Sequence, residues 1–281
     1  MLAEQKRLAY LQVLSQNLAS QPASQPADIN ALYLQQVLQH RTQYSALPAL
    51  NLNSCFQIHR HHEHAPWVIF FQGMYESHIA PYFQNDPELQ NLSQLNDSSL
   101  PFSFQSFIKT HTEFNYICVK DNFQSWYLLH FEYYLAALLQ ILPQVQAQEI
   151  ITVGCSAGAS AAILFGHYLE ASKTIAFAPQ LKMYHLHHVN AYRHKLNQRY
   201  RLGELALADL ARLHQQHQGF AQKVHIVQAA QNESDWIELN FIPWRQDSRI
   251  STTFFAEQEH DLFSVMDKEY LFRWLKMMLS E

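Results

Sequence analysis

The chain has 281 residues, 48% of them hydrophobic and only 15% charged, with a formal net charge of −5. This length and apolar content suit a globular chain with a substantial core, and a charged share below the usual ~25% leaves much of the polar surface to Gln, Asn and His. The negative balance, without any Lys/Arg cluster, excludes a nucleic-acid-binding face; no apolar run approaches the ~18 residues of a membrane helix; and three cysteines (Cys55, Cys118, Cys155) without a CxxC pair exclude a disulfide framework.

From the N-terminus, Leu2, Leu8, Leu11, Leu14 and Leu18 fall on one helical stripe. Pro22 and Pro26 break that helix, and residues 29–45 predict a second. Residues 1–47 thus read as a helical extension before a main domain of residues 48–281. The extension offers a face for packing in cis, for self-association or for an assembly partner. The opening residues lack the uninterrupted apolar core of a signal peptide, which with the cysteine usage points to the cytoplasm.

The segment His59-Arg60-His61-His62-Glu63-His64 has ligand-type side chains but not H-E-x-x-H spacing, so it reads as a solvated loop and no metal is expected. Trp67–Phe71 is a wholly apolar run ended by Gly73. Residues 84–100, rich in Asn, Gln, Ser and Asp, read as a long surface loop. Tyr116–Val119 is the second run, followed by a helix over 130–142 that Pro143 should stop. Ile150–Val153 is the third, followed by a small-residue helix over 158–171. Thr174–Ala178 is the fourth. An excursion over 181–202 follows, in which His185, His187 and His188 read as loop residues with pocket lining as the rival reading. A helix over 204–217 precedes the fifth run, Val224–Val227, and the sixth, Ile250–Phe255. An amphipathic helix over 266–279 closes the chain. Short apolar strands alternating with helices predict a mostly parallel sheet covered on both faces. Ligands on such sheets bind beyond the carboxyl ends of the strands.

Gly154-Cys155-Ser156-Ala157-Gly158 lies between the third strand and its helix. This is G-x-S-x-G in strand–turn–helix context, the nucleophile elbow of the α/β-hydrolase fold. Two of the chain's six glycines sit where strand and helix backbones must pass closely. Ser156 is therefore the candidate nucleophile. Cys155 holds the variable position of the motif and reads as a buried small apolar residue. In this fold the acid and the base follow in the order Ser, Asp/Glu, His. Asp235, after the fifth run, is the candidate acid, with Glu233 and Asp247 as competitors. His260, after the sixth, is the candidate base. The oxyanion donors fall to the Ala157 N–H and to Gly73 or Met74 in the loop after the first run. Asp121 and the pair Trp126-Tyr127 lie after the second run, as sugar-binding or as packing residues.

The stretches VGCSAGASAAILFGHYLEASKTIAFAPQ, HIVQAAQNESDWIELNF and EHDLFSVMDKEYLFRWL resemble bacterial capsule-locus proteins with an α/β-hydrolase fold. That group includes polysaccharide O-acetyltransferases of the meningococcal serogroup A type. The resemblance spans residues 65–281 in outline, and Ala178-Pro179-Gln180 belongs to it. Where relatives carry Gly-Gly after the nucleophile, this chain has Gly158-Ala159. The resemblance implies a Ser156–Asp235–His260 triad and an O-acetyltransferase acting on a surface or capsular polysaccharide. It implies no bound cofactor, acetyl-CoA as acyl donor and a carbohydrate acceptor. Plain ester hydrolysis uses the same triad, and a non-enzymatic scaffold in surface-glycan assembly is the third reading.

Overall fold

The apolar runs become the strands of one sheet. They are β1 (Phe56–His59), β2 (Trp67–Phe71), β3 (Asn115–Val119), β4 (Ile150–Cys155), β5 (Lys173–Phe177), β6 (Lys223–Ala229) and β7 (Ile250–Phe255). The computed structural model describes residues 48, 50–86, 88–97, 100–185 and 189–281. The helices expected within residues 1–47, and His187 and His188, lie outside the described residues. The sheet order is β1-β3-β2-β4-β5-β6-β7. All neighbours are parallel except β1, which runs antiparallel to β3 with Phe56 opposite Val119.

β1 has no counterpart among the runs read from the sequence. Its four residues, Phe-Gln-Ile-His, are only partly buried and have no long apolar signature. Part of the His-rich segment is therefore strand. The rest is held by Asn115, whose Oδ1 accepts the His61 and His62 N–H groups at 2.7 and 3.0 Å and whose Nδ2 donates to the His62 and Ala65 carbonyls. Among the described residues, no three His, Cys, Asp or Glu side chains converge to hold a metal ion.

β2 and β3 are buried at every position, as expected for strands covered on both faces. One face packs on α3 (Phe131–Gln144), α4 (Ala157–Tyr168) and α6 (Leu210–Gln216); its core includes Ile69, Phe71, Ile117, Leu138, Ile163 and Leu213. The other packs on α2 (Gln105–Thr110) and on α9 (Lys268–Ser280), which follows the short α8 (Leu262–Val265), with Phe70, Val153, Phe107, Leu271 and Leu275 among the contacts. α9 matches the closing amphipathic pattern. It starts two residues later because Asp267 caps it, accepting the Tyr270 N–H at 2.8 Å. α3 runs through Pro143 to Gln144, since a proline in the last turn removes few helical bonds. The helix expected over 204–217 reduces to α6, with 3₁₀ turns before it. The excursion over 181–202 contains α5 (Ala191–Tyr200), capped by Asn190, and α1 (Glu76–Asn85) follows β2. No helix among the described residues is long and apolar enough to cross a membrane.

The chain leaves β2 for β3 on one side and later enters β4 on the other, so β2 and β4 flank the point where the winding reverses. Such a reversal opens a crevice at the carboxyl ends of the two strands. Gly73 and Ser156 stand at its two lips.

Candidate active site

Ser156 caps α4 in the left-handed region, at φ 53° and ψ −119°. That conformation costs a side-chain-bearing residue on the order of 1–3 kcal/mol. It is held by close backbone packing. A Cβ on Gly154 would lie 2.1 Å from the Gly158 carbonyl oxygen, and one on Gly158 would lie 2.1 Å from the Phe71 carbonyl oxygen. One on Gly73 would lie 2.8 Å from the Cys155 carbonyl oxygen. The Ser156 N–H is engaged, donating to the Phe177 carbonyl at 2.8 Å. Among the described residues, the N–H groups of Ala157, Gly73 and Met74 meet no protein acceptor.

His260 follows β7 and Asp235 follows β6. Sheet-like bonds continue past the strand ends: Ala230 N–H donates to Phe255, and Gln231 N–H to Glu257. Asn232 adds a side-chain tie, its Nδ2 donating to the Gln258 carbonyl at 2.8 Å. Its Oδ1 accepts the Asp235 N–H and so caps α7 (Glu233–Leu239). Asp235 thus sits in the first turn of a helix. Glu238, one turn on, accepts the Leu181 and Lys182 N–H groups and anchors α7 to the segment after β5.

The structure brings the three candidate side chains into one line. His260 Nε2 is 2.8 Å from Ser156 Oγ, and His260 Nδ1 is 2.7 Å from Asp235 Oδ1. An ionised Asp235 only accepts, so Nδ1 carries the proton and Nε2 is left to accept from the Ser156 hydroxyl. The Asp235 side chain is 3% exposed, whereas that of His260 is 33% exposed and faces the crevice. The competing acids are elsewhere. Glu233 is exposed, and Asp247 pairs with His214 at 2.9 Å and with Arg249.

Ser156 and His260 open into a cavity of about 530 Å³. Phe104, Phe263 and Phe272 form its apolar wall, with Ser103, Gln105 and Lys268 also lining it. Cys155 lines it too and is partly exposed, contrary to the buried position expected. Desolvation of the sulfur, then the Asp261 and Asp235 carboxylates, push its thiol pKa well above the usual value, and His260 Nε2 is hydrogen-bonded to Ser156 Oγ. The wall was not legible as a site. Phe104 adopts a left-handed backbone at φ 63° that aromatic spacing does not signal, and Phe263 and Phe272 belong to different helical segments.

Asp121, Trp126 and Tyr127 line no part of the cavity that holds Ser156 and His260; they border a small void behind Gly73, Met74 and Ala157. Trp126 and Tyr127 are fully buried, and Asp121 is 4% exposed. The Asp121 carboxylate accepts the Phe123, Ser125 and Tyr127 N–H groups and the Ser125 hydroxyl. Trp126 Nε1 donates to Gln180 Oε1. All three pack within one tight loop, which favours the packing reading of the two that the sequence left open. His185 packs against the Phe241 ring, away from the residues lining the cavity.

Sheet order, elbow and site position define the α/β-hydrolase fold. The capsule O-acetyltransferase of Neisseria meningitidis serogroup A is similar in structure, with a TM-score of 0.59 at 14% identity over 87% of this chain and 99% of that one. A chain of a glycosylation-associated protein complex from Streptococcus agalactiae gives 0.55 at 13% identity, over 80% of this chain and 44% of that one. The fluorophosphonate-binding serine hydrolase FphF of Staphylococcus aureus gives 0.50 at 12% identity, over 77% and 85%. At these identities the likeness is one of fold. No family model and no curated protein matches the sequence.

Proposed function

We propose that this protein is a serine acyl-transfer enzyme that moves an acetyl group from acetyl-CoA to a carbohydrate hydroxyl of a surface or capsular polysaccharide, working in the cytoplasm. The observation that carries the reading is the Ser156–His260–Asp235 line, with 2.8 and 2.7 Å contacts at the carboxyl end of a parallel sheet. Ser156 Oγ attacks the thioester carbonyl while its proton passes to His260 Nε2. Asp235 fixes the tautomer and stabilises the imidazolium. The N–H groups of Ala157 and of Met74 or Gly73 receive the oxyanion. The tetrahedral adduct collapses, the C–S bond breaks, and His260 returns the proton to the departing thiolate. The acceptor hydroxyl then attacks the acyl-serine, gives its proton to His260 and leaves as the ester, with the proton restored to Ser156. The polysaccharide acceptor is drawn from the resemblance to capsule-locus proteins and from the meningococcal structural neighbour.

Hydrolysis of the same acyl-enzyme is the second reading. The partly open His260 and the wide cavity favour it, because they admit water to the base. Intact-protein mass spectrometry after brief exposure to acetyl-CoA tests the chemistry, with Ser156→Ala alongside. An acetyl adduct mapping to Ser156 in the wild type, and absent from the variant, is expected. Absence of any adduct together with absence of CoA release would overturn the thioester donor.

A further inference from the structure

The loop after β3 touches no part of the cavity, yet it grips the segment that supplies the second oxyanion donor. Gln72-Gly73-Met74-Tyr75 leaves β2 and crosses beside the elbow. Its first peptide is pinned by the Tyr127 hydroxyl, which lies 3.1 Å from the Gln72 carbonyl oxygen and 2.9 Å from that of Val119. Its last is pinned by Gln124, whose Oε1 accepts the Tyr75 N–H at 2.7 Å. Between these points the Gly73 and Met74 N–H groups meet no acceptor among the described residues. Two free donors are thus strung between two fixed ends.

The gripping loop is itself built at a conformational cost. Gln124, Trp126 and Tyr127 all have positive φ, at 50°, 57° and 63°, where side-chain-bearing residues are uncommon. The buried Asp121 carboxylate, with its four donors, holds them there. Gln124 Nε2 also donates to the Asp121 carbonyl at 2.6 Å, which aims its Oε1 at Tyr75. From the far side, Arg193 Nε donates to the Gln124 carbonyl, and the guanidinium lies 3.3 Å from the Trp126 ring centre. Strain of this kind persists where the surrounding structure over-determines it, and it gathers at functional sites.

We infer that Gln124 and Tyr127 are positioning residues that preorganise the oxyanion hole, with the Asp121-centred loop as their rigid mount. They never meet the substrate. They act by removing the freedom of the Gly73–Met74 peptides, so that no reorganisation is needed as charge develops on the acyl oxygen. The inference rests on Ser156 being the nucleophile.

The test compares wild type with Gln124→Met, which keeps the length but removes the acceptor, and with Tyr127→Phe, which removes only the hydroxyl. Each is assayed on an activated acetyl ester and for inhibition by a trifluoromethyl ketone, whose serine adduct carries the oxyanion. The expectation is a loss in kcat of roughly 10- to 100-fold with KM little changed, and a matching rise in the ketone Ki. A structural defect alone would lower the active fraction and leave Ki where it was, and that result overturns the inference. Should one variant fail to fold, the other carries the comparison from the opposite end of the segment. Failure of the ketone to inhibit the wild type would remove the nucleophile reading, and this inference with it. Inhibition of wild type and variants at equal Ki would remove the positioning role alone.

Discussion

Replacing Gly158 with alanine tests whether the elbow is shaped by contact between backbones. The added Cβ would fall 2.1 Å from the Phe71 carbonyl oxygen and 2.7 Å from the Gln72 carbonyl carbon. Neither atom belongs to a side chain that can swing aside, so α4 has to withdraw from β2 by roughly 1 Å to restore an ordinary contact. Overpacking typically costs 1–3 kcal/mol, and backbone partners place this change near the top, at about 3 kcal/mol. For a chain of 281 residues that corresponds to a fall in Tm of roughly 5 °C. The larger effect should be on rate. Ser156 and the Ala157 N–H ride on α4, whereas Gly73 follows β2, so under the proposed mechanism the withdrawal pulls nucleophile and second oxyanion donor apart. A misplacement of about 1 Å can cost on the order of 10²-fold. The assay is hydrolysis of an activated acetyl ester, read beside a thermal melt. Gly166→Ala on the same helix is the control, because the three atoms nearest its Cβ belong to the side chains of Thr174, Gln222 and Thr152. It should lose stability while the folded fraction keeps its rate constant. A Gly158→Ala protein with wild-type Tm and rate would refute the argument.

Asp235→Asn should fold normally and lose up to about 10⁴-fold in kcat, because an amide facing His260 Nδ1 favours the wrong tautomer; full activity in that variant would pass the acid role to another carboxylate. The buried His167 gives a pH-dependent stability. Its Nδ1 accepts the Ala221 N–H at 3.0 Å, and burial first, then His217 and Arg249, lowers its pKa from 6.5 to about 4. Between those values the unfolded chain holds the extra proton. The contribution of His167 is therefore complete above about pH 6.5 and is lost as pH falls toward 4, up to about 3 kcal/mol. Denaturant melts across that range should show a shallower slope for His167→Asn, which keeps an acceptor for Ala221. An unchanged slope would show that His167 does not carry it.

The parts of the fold written as apolar runs were legible from residue types alone. β2 and β7 match their runs end to end, and the other runs are extended or displaced by one or two residues. Ser156, Asp235 and His260 were legible because the elbow motif fixes a chain order for its partners. What escaped was structure set by tertiary context. β1 is a half-buried edge strand recruited by β3. α7 is too short to show a period, and it forms where Asn232 caps it and Glu238 ties it to the β5 loop. Asp121, Trp126 and Tyr127 looked like ligand groups because they follow a strand at its carboxyl end. The left-handed backbones of Trp126 and Tyr127 turn their side chains inward, and no residue-type rule announces that Gln124, Trp126 and Tyr127, none of them glycine, all take positive φ.

The tightest fits at the elbow join main chain to main chain, and they require only that Gly154, Gly158 and Gly73 carry no side chain. Asp235 and His260 hang from strand ends that are stitched by peptide groups common to every residue. A site built this way places few demands on the twenty-letter alphabet outside its own three side chains and a few glycines. Chains that differ in most of their core and surface residues can then share the shape. Likeness in coordinates can therefore stand where likeness in letters is slight, as at 14% identity across 87% of this chain.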